Sequence, residues 1–273
     1  MQDRLSTQET QLGEATKLTA TACGQTLPDS IAAYVINLDR SFDRWEHIQS
    51  EAERLGLVVE RVAGVDASKV SLAEAPFYLH RAFVRANGRP MLQAEYGCYL
   101  AHMSAIRTFL ASSADTAIIM EDDVSLQADL VERAAAILAA APSADVVKLL
   151  NHRTVFHRSV ARTSHGDDVG RCLFGPQGSA ACYLVTRKGA LRLLEKLERI
   201  ELPYDIALER GWATGLDVYS VKDNVLHLSE RSQESQIADR AKYRSIKLRG
   251  IRKIPTHIFR IIELTRRIKY ALG

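Results

Sequence analysis

Residues 31–38 (IAAYVINL) form a β-rich apolar run that breaks at Asp39-Arg40-Ser41 and gives way at once to a helical pattern. Over residues 42–55, Trp45, Ile48, Ala52 and Leu55 share one face at three- and four-residue spacing, and Gly56 closes the segment. A second apolar run follows at 57–62. Strand, helix and strand in so short a span predict a right-handed βαβ unit, which commits the chain to a sheet with parallel strands at this end. The alternation continues with a helix at 95–111 (Tyr99, Met103, Ile106 and Leu110 on one face), a strand at 117–120, a helix at 126–140 and a strand at 145–150. A strand at 181–186, a helix at 188–197, a helix from Pro203 to about Ala213 and a strand at 217–221 complete it. Residues 67–91 read as a loop with helical turns, and residues 151–180 show little periodicity. The pattern predicts one α/β domain with appendages.

The length and composition agree with that reading. A chain of 273 residues, 47% hydrophobic and 25% charged, is neither wholly disordered nor fibrous and can bury a sizeable core. No apolar run approaches the roughly 20 residues that a membrane span needs. Residues 1–30 are polar, without a basic stretch leading into an apolar one, and read as a flexible extension rather than a secretory leader. Cys23, Cys98, Cys172 and Cys182 contain no CxxC pair, so they read as reduced, mostly buried thiols of a cytoplasmic protein.

The net charge of +3 conceals an asymmetry. Residues 240–273 carry eleven Lys or Arg and one acid, a net of +10 that leaves −7 for the preceding 239 residues. An acidic body with a basic tail argues against nucleic acid as a partner, because a nucleic-acid site spreads positive charge over the fold. Within the tail, Ile258, Ile261, Ile262, Thr265, Ile268 and Leu272 recur at helical spacing after Pro255, flanked by Arg260, Arg266, Arg267 and Lys269. Two readings of this helix stay open: it lies on an anionic membrane surface, or it packs on its own domain.

The strand at 117–120 runs straight into Glu121-Asp122-Asp123. Three adjacent carboxylates at a buried strand end repel one another, and a hard divalent cation, Mn²⁺ or Mg²⁺, relieves that repulsion and can also hold a diphosphate. In an open α/β sheet, the crevice beyond the carboxyl ends of the strands is where ligands bind. Asn37 ends the first strand at the same edge and can read a uracil edge or a ribose hydroxyl, while Arg40 and Arg44 can pair with phosphate oxygens. No GxGxxG follows that strand and no GxxxxGK[ST] occurs, which disfavours dinucleotide and P-loop chemistry. A haloacid-dehalogenase-type phosphatase needs its nucleophilic Asp where this chain has Asn37, and is disfavoured too.

Several of these segments, in this order, resemble glycosyltransferase family 25, the bacterial lipopolysaccharide and lipooligosaccharide transferases. They are VINLDRSFDR at 35–44, RVAGVDASKV at 61–70, EYGCYLAHMSAI at 95–106 (with Ala101 where the family usually has Ser), IIMEDDVSL at 118–126, SAACYLVTRKGALRLL at 179–194, PYDIAL at 203–208 and the segment at 234–237. The resemblance implies a GT-A-like, Rossmann-type nucleotide-sugar-binding domain over residues 31–239, followed by the basic, partly helical tail over 240–273. It implies inverting, metal-dependent transfer from a UDP-sugar, by family habit UDP-galactose, to a lipid-linked saccharide of the cell envelope at the cytoplasmic face of the inner membrane. Glu121, Asp122 and Asp123 would form the metal and ribose-phosphate site, and Asn37, Leu38, Arg40 and Arg44 would contact the nucleotide. Asp205, remote in sequence from the acidic trio, is the candidate base, with a helix cap as the plainer alternative. His102 would orient donor or acceptor hydroxyls unless it is a packing residue. His227 is either a third metal ligand or a loop histidine. Lys148 would reach the donor unless it sits in a salt bridge. Gln177-Gly178-Ser179 would lie on the acceptor side, and Glu234 with Ser235 would close over the diphosphate. A transferase-like protein that binds sugar nucleotide or saccharide without turnover is the alternative function.

Overall fold

A computed structural model describes residues 31–229 and 245–273. The opening prediction holds: β1 (Ile31–Asn37), α1 (Phe42–Leu55) and β2 (Glu60–Ala63) form a parallel unit in which Tyr34 faces Glu60 and Asn37 faces Ala63. Next come α2 (His80–Asn87), α3 (Gln93–Ala111), β3 (Thr116–Glu121), β4 (Val124–Ser125), α4 (Leu130–Ala140) and β5 (Val146–Lys148). A hairpin of β6 (Val155–Arg162) and β7 (Asp168–Phe174) precedes β8 (Cys182–Thr186) and α5 (Arg187–Lys196). The chain continues through α6 (Tyr204–Leu208), α7 (Gly211–Thr214), β9 (Val218–Val221), β10 (His227–Leu228) and α8 (Ile254–Leu272).

Eight strands make one mixed sheet in the order β2-β1-β3-β8-β5-β9-β7-β6, and β4 pairs with β10 in a separate ladder. β1, β2 and β3 are mutually parallel, while β8 runs antiparallel between β3 and β5. β5 and β9 are parallel to each other, so the carboxyl ends of β1, β3, β5 and β9 meet at one edge, joined there by the start of β8.

Both faces of the sheet are covered, which is why its central strands read as continuous apolar runs. Tyr34, Ile36, Ile119 and Tyr183 pack on one side against Tyr99, Met103, Ile106 and Phe109 of α3 and Leu193 of α5. Val35, Ile118, Met120 and Leu184 pack on the other side against Ile48 of α1 and Leu130 and Ile137 of α4. Burying one such side chain contributes about 1.5–3 kcal/mol. Gly97 is required where α3 meets the turn after β2, since a Cβ there would lie 2.4 Å from the Val65 carbonyl oxygen.

Three departures from the sequence reading have physical causes. Residues 151–180 hold the β6–β7 hairpin, whose edge strand is mostly exposed, leaving the polar pattern that reads as loop. The segment 67–91 contains α2, held by fully buried Phe83 and closed by Gly88 at φ 68°. The single helix expected from Pro203 is two short ones, because the chain bends at Arg210-Gly211 to admit α8; a Cβ on Gly211 would lie 2.2 Å from the Tyr270 hydroxyl oxygen.

Helix α8 is built inside out. Its inward face is polar and aromatic: Glu263 takes a bidentate pair from Arg210 (2.6 and 3.0 Å) and accepts from Trp212 Nε1 at 3.2 Å. Arg267, expected on the solvated flank, is buried instead and donates to Glu209 at 2.6 Å. The Tyr270 hydroxyl accepts from the Val218 amide (2.6 Å) and donates to the Leu216 carbonyl (2.8 Å), while the Arg171 guanidinium sits over the Tyr219 and Tyr270 rings. The outward face carries Ile254, Ile258, Ile261, Ile262 and Leu272, all exposed. Among the described residues no helix is long and apolar enough to cross a membrane.

Candidate active site

The acidic trio leaves the sheet at the edge where the strand ends meet. Glu121 is the last residue of β3, and its amide donates to the Ala181 carbonyl at the start of β8. Asp122 is held from β1 and α1: Asn37 Nδ2 donates to Oδ2 at 2.6 Å and Arg44 Nη1 to Oδ1 at 3.0 Å. Asn37 is itself fixed, because it also donates to the Ser41 carbonyl (2.9 Å) and accepts from Arg61 Nε (2.9 Å). Arg61 on β2 escaped the sequence reading, since nothing in a strand's alternation says which neighbour its side chain will grip.

Asp123 is the uncompensated member. Its Oδ1 is buried without a hydrogen-bond partner among the described residues. Burial, reinforced by the Glu121 and Asp122 carboxylates, pushes its carboxyl up to about 7. An orphaned oxygen beside two further carboxylates fits a divalent cation with hard oxygen ligands. His227 lies on β10 opposite Ser125 of β4, and the Ser229 amide donates to the Asp123 carbonyl at 2.7 Å, so this ladder flanks the trio.

Glu121 turns towards α3. His102 Nε2 lies 3.2 Å from Glu121 Oε1, and His102 Nδ1 lies 3.3 Å from the Tyr183 hydroxyl. The imidazole stacks on Tyr204 with ring centroids 4.3 Å apart and 4° between planes, and the Tyr183 and Tyr204 hydroxyls are 2.9 Å apart. Burial works to raise the Glu121 carboxyl, but the bonded His102, with His152 and Arg44 nearby, holds it below its ordinary value. Cys98, one turn before His102, keeps accessible surface, with its Sγ 3.9 Å from Glu121 Oε1. Desolvation by the protein packed around the sulfur, followed by the Glu121, Asp205, Glu95 and Asp123 carboxylates, raises its thiol above the usual range although the residue keeps some accessible surface. It is not the inert core thiol expected; Cys172 and Cys182 are buried as read, and Cys23 lies outside the described residues.

Asp205 follows Tyr204 at the start of α6, so the stacked Tyr204–His102 pair ties it to Glu121. Burial raises its carboxyl, opposed chiefly by the Lys148 ammonium. Lys148 is fully buried at the end of β5, donates to the Gly178 carbonyl at 2.7 Å and stands 3.7 Å from Glu209 Oε2. The internal ion pair, rather than an outward reach, is what the structure gives this lysine. Gln177 is buried as well, its amide bonded to Glu209 and its side chain to Ser220. Arg40 is exposed and paired with Asp66 in the turn after β2, apart from Asp122; Leu38 is half-buried between β1 and the following turn. Ser235 and Glu234 lie outside the described residues. The structure therefore gathers Asn37, Arg44, His102 and the acidic trio, sets Asp205 beside them, and holds Lys148 beneath.

Residues 30–208 match the sequence model of glycosyltransferase family 25 (LPS biosynthesis protein). Two curated relatives, each named a glycosyltransferase 25 family member, come from mosquitoes. The Aedes aegypti protein is 28% identical over 63% of this chain and 29% of its own length. The Anopheles gambiae protein is 27% identical over 39% of this chain and 19% of its own length. The matches thus span under a third of either relative. Among solved structures, a CMP:2-keto-3-deoxy-manno-octonic acid synthetase complexed with CTP aligns over 78% of this chain and 98% of its own, at 13% identity and a TM-score of 0.41.

Proposed function

The chain belongs to glycosyltransferase family 25, and from that premise we propose that it moves a hexosyl group, galactose by first choice, from a UDP-sugar to a saccharide acceptor with inversion. The observation that carries this reading is the carboxylate trio at the strand-end edge, with Asp122 locked by Asn37 and Arg44 and Asp123 Oδ1 left without a partner. Glu121, Asp122 and Asp123 would hold Mn²⁺ or Mg²⁺, which when bound supplies positive charge against the leaving diphosphate. Asn37 and Arg44 keep the Asp122 carboxylate in one orientation. Asp205 takes the proton from the acceptor hydroxyl as that oxygen attacks the anomeric carbon; its raised carboxyl is a stronger base than an ordinary aspartate. The Glu121–His102–Tyr183–Tyr204 contacts link the trio to the helix that carries Asp205. Thermal denaturation with UDP and UDP-sugars, each with and without Mn²⁺, tests this. A donor at about 100 times its dissociation constant adds roughly 2.7 kcal/mol, a rise of several degrees. A rise that occurs equally without metal, or not at all, would overturn the reading.

The family description points to a lipopolysaccharide-type acceptor, a saccharide on a lipid, so that the enzyme works at the cytoplasmic face of a membrane. Support comes from α8, which turns Glu263 and Arg267 onto the domain and Ile254, Ile258, Ile261 and Ile262 outward, with Arg260, Arg266 and Lys269 exposed on the same helix. Each basic residue near an anionic surface contributes about 1 kcal/mol. Replacing both Ile258 and Ile261 by Asp is expected to cut co-sedimentation with anionic vesicles about tenfold or more, with little change in melting temperature because both side chains are exposed. Undiminished vesicle binding by that variant would remove the membrane role.

A further inference from the structure

We propose that Cys98, His102 and Glu121 form a second cation site, selective for Zn²⁺ over the hard cations suited to the acidic trio. The three ligand atoms already lie close together: His102 Nε2 is 3.2 Å and Cys98 Sγ 3.9 Å from Glu121 Oε1, and all three fall within 4.8 Å of one another. Bonds of about 2.0–2.3 Å to a tetrahedral Zn²⁺ need separations of roughly 3.2–3.7 Å, so closure asks the farthest pair to approach by up to about 1.3 Å. Cys98 and His102 stand four residues apart on one face of α3, the spacing by which a helix presents two ligands to one ion.

The surroundings of the imidazole resemble those of a metal-ligating histidine. Nδ1 contacts the Tyr183 hydroxyl and the ring is stacked on Tyr204, which aims Nε2 at the other two ligands. Cys98 is accessible and Glu121 partly so, leaving a path for the ion and an open fourth position. A thiolate and an imidazole favour Zn²⁺ over Mg²⁺ or Mn²⁺. Binding releases the Cys98 proton to solvent and forms the sulfur–metal bond. Glu121 then belongs to two ligand sets, so Zn²⁺ withdraws it from the acidic trio and inhibits transfer; that consequence rests on the proposed function, whereas the binding does not.

Titration of the full chain with Co²⁺ alone, followed by displacement with Zn²⁺, tests the site without any assay of transfer. The wild-type chain is expected to take up one equivalent showing a thiolate-to-cobalt charge-transfer band that Zn²⁺ abolishes. Cys98→Ser loses the band, Tyr183→Phe weakens Zn²⁺ binding about 10- to 100-fold by freeing the imidazole, and Asp123→Asn retains both band and affinity. Absence of the band in the wild-type chain, or its survival in Cys98→Ser, would overturn the proposal. Loss of the band in Asp123→Asn would also overturn it, by assigning the ion to the trio.

Discussion

Asp205→Asn is expected to lower the rate of transfer by about 10²–10⁴-fold while leaving donor-dependent thermal stabilisation intact. An amide keeps the volume and hydrogen-bonding shape of the carboxylate but cannot accept the acceptor hydroxyl's proton. The two readouts separate because Asp205, at the start of α6, is not one of the carboxylates that would hold the cation. Stability gives a third readout. Burial raises the Asp205 carboxyl, so its ionised form opposes folding at neutral pH, and the neutral amide should melt at the same temperature or higher. A residue that merely capped α6 would behave otherwise: its replacement would lower the melting temperature and leave the rate nearly unchanged. Steady-state rates at saturating donor, set beside melting curves of the same preparations, decide between them. Wild-type turnover in Asp205→Asn would return the residue to its capping role.

The placement of these residues shows what a sequence of this kind discloses. The strand ends were legible because apolar runs stop at them: Asn37 and Glu121 mark where β1 and β3 leave the core, and parallel pairing brings them to one edge. The trio stood out because three carboxylates follow directly on the apolar run of β3, where they repel one another, and the structure leaves Asp123 Oδ1 there without a partner among the described residues. Side-chain partnerships were not, because they depend on elements distant in sequence. Arg61 reaches Asn37 across a strand pair, and Lys148 spans to Gly178 and Glu209. Cys98 and His102 were visible as neighbours four apart on a helix, yet they become a ligand pair only when β3 delivers Glu121 to them. Helix α8 was misleading in a more instructive way. Most of its apolar periodicity marked the exposed face, and the face that binds the domain sets Glu263, Arg267 and Tyr270 beside Phe259 and Ala271, so that a hydrophobic pattern alone misses its charged anchors.

Asp123→Asn is expected to abolish the metal-dependent part of the thermal shift and to flatten the pH dependence of stability. In the metal-free wild-type chain the Asp123 carboxyl stands at about 7, against 3.8 for the free side chain. The folded state therefore holds a proton that the unfolded state has already released between those values. Stability falls as pH rises through that window and levels off once the folded carboxyl has ionised. Bound Mn²⁺ reverses the preference by stabilising the ionised form, so the melting temperature gained on adding Mn²⁺ should grow from pH 5.5 to pH 8. The Asn variant carries no proton to lose at this position. It is expected to melt several degrees above the metal-free wild type at pH 8, to match it more closely at pH 5.5, and to gain almost nothing from Mn²⁺ at either pH. Calorimetry across this range reports on Asp123 in particular, because its Oδ1 has no partner among the described residues whereas Asp122 is bonded to Arg44 and Asn37 and Glu121 to His102. Should the variant keep the full Mn²⁺ response, the cation would have to be held without Asp123, and the orphaned oxygen would lose its explanation as a ligand.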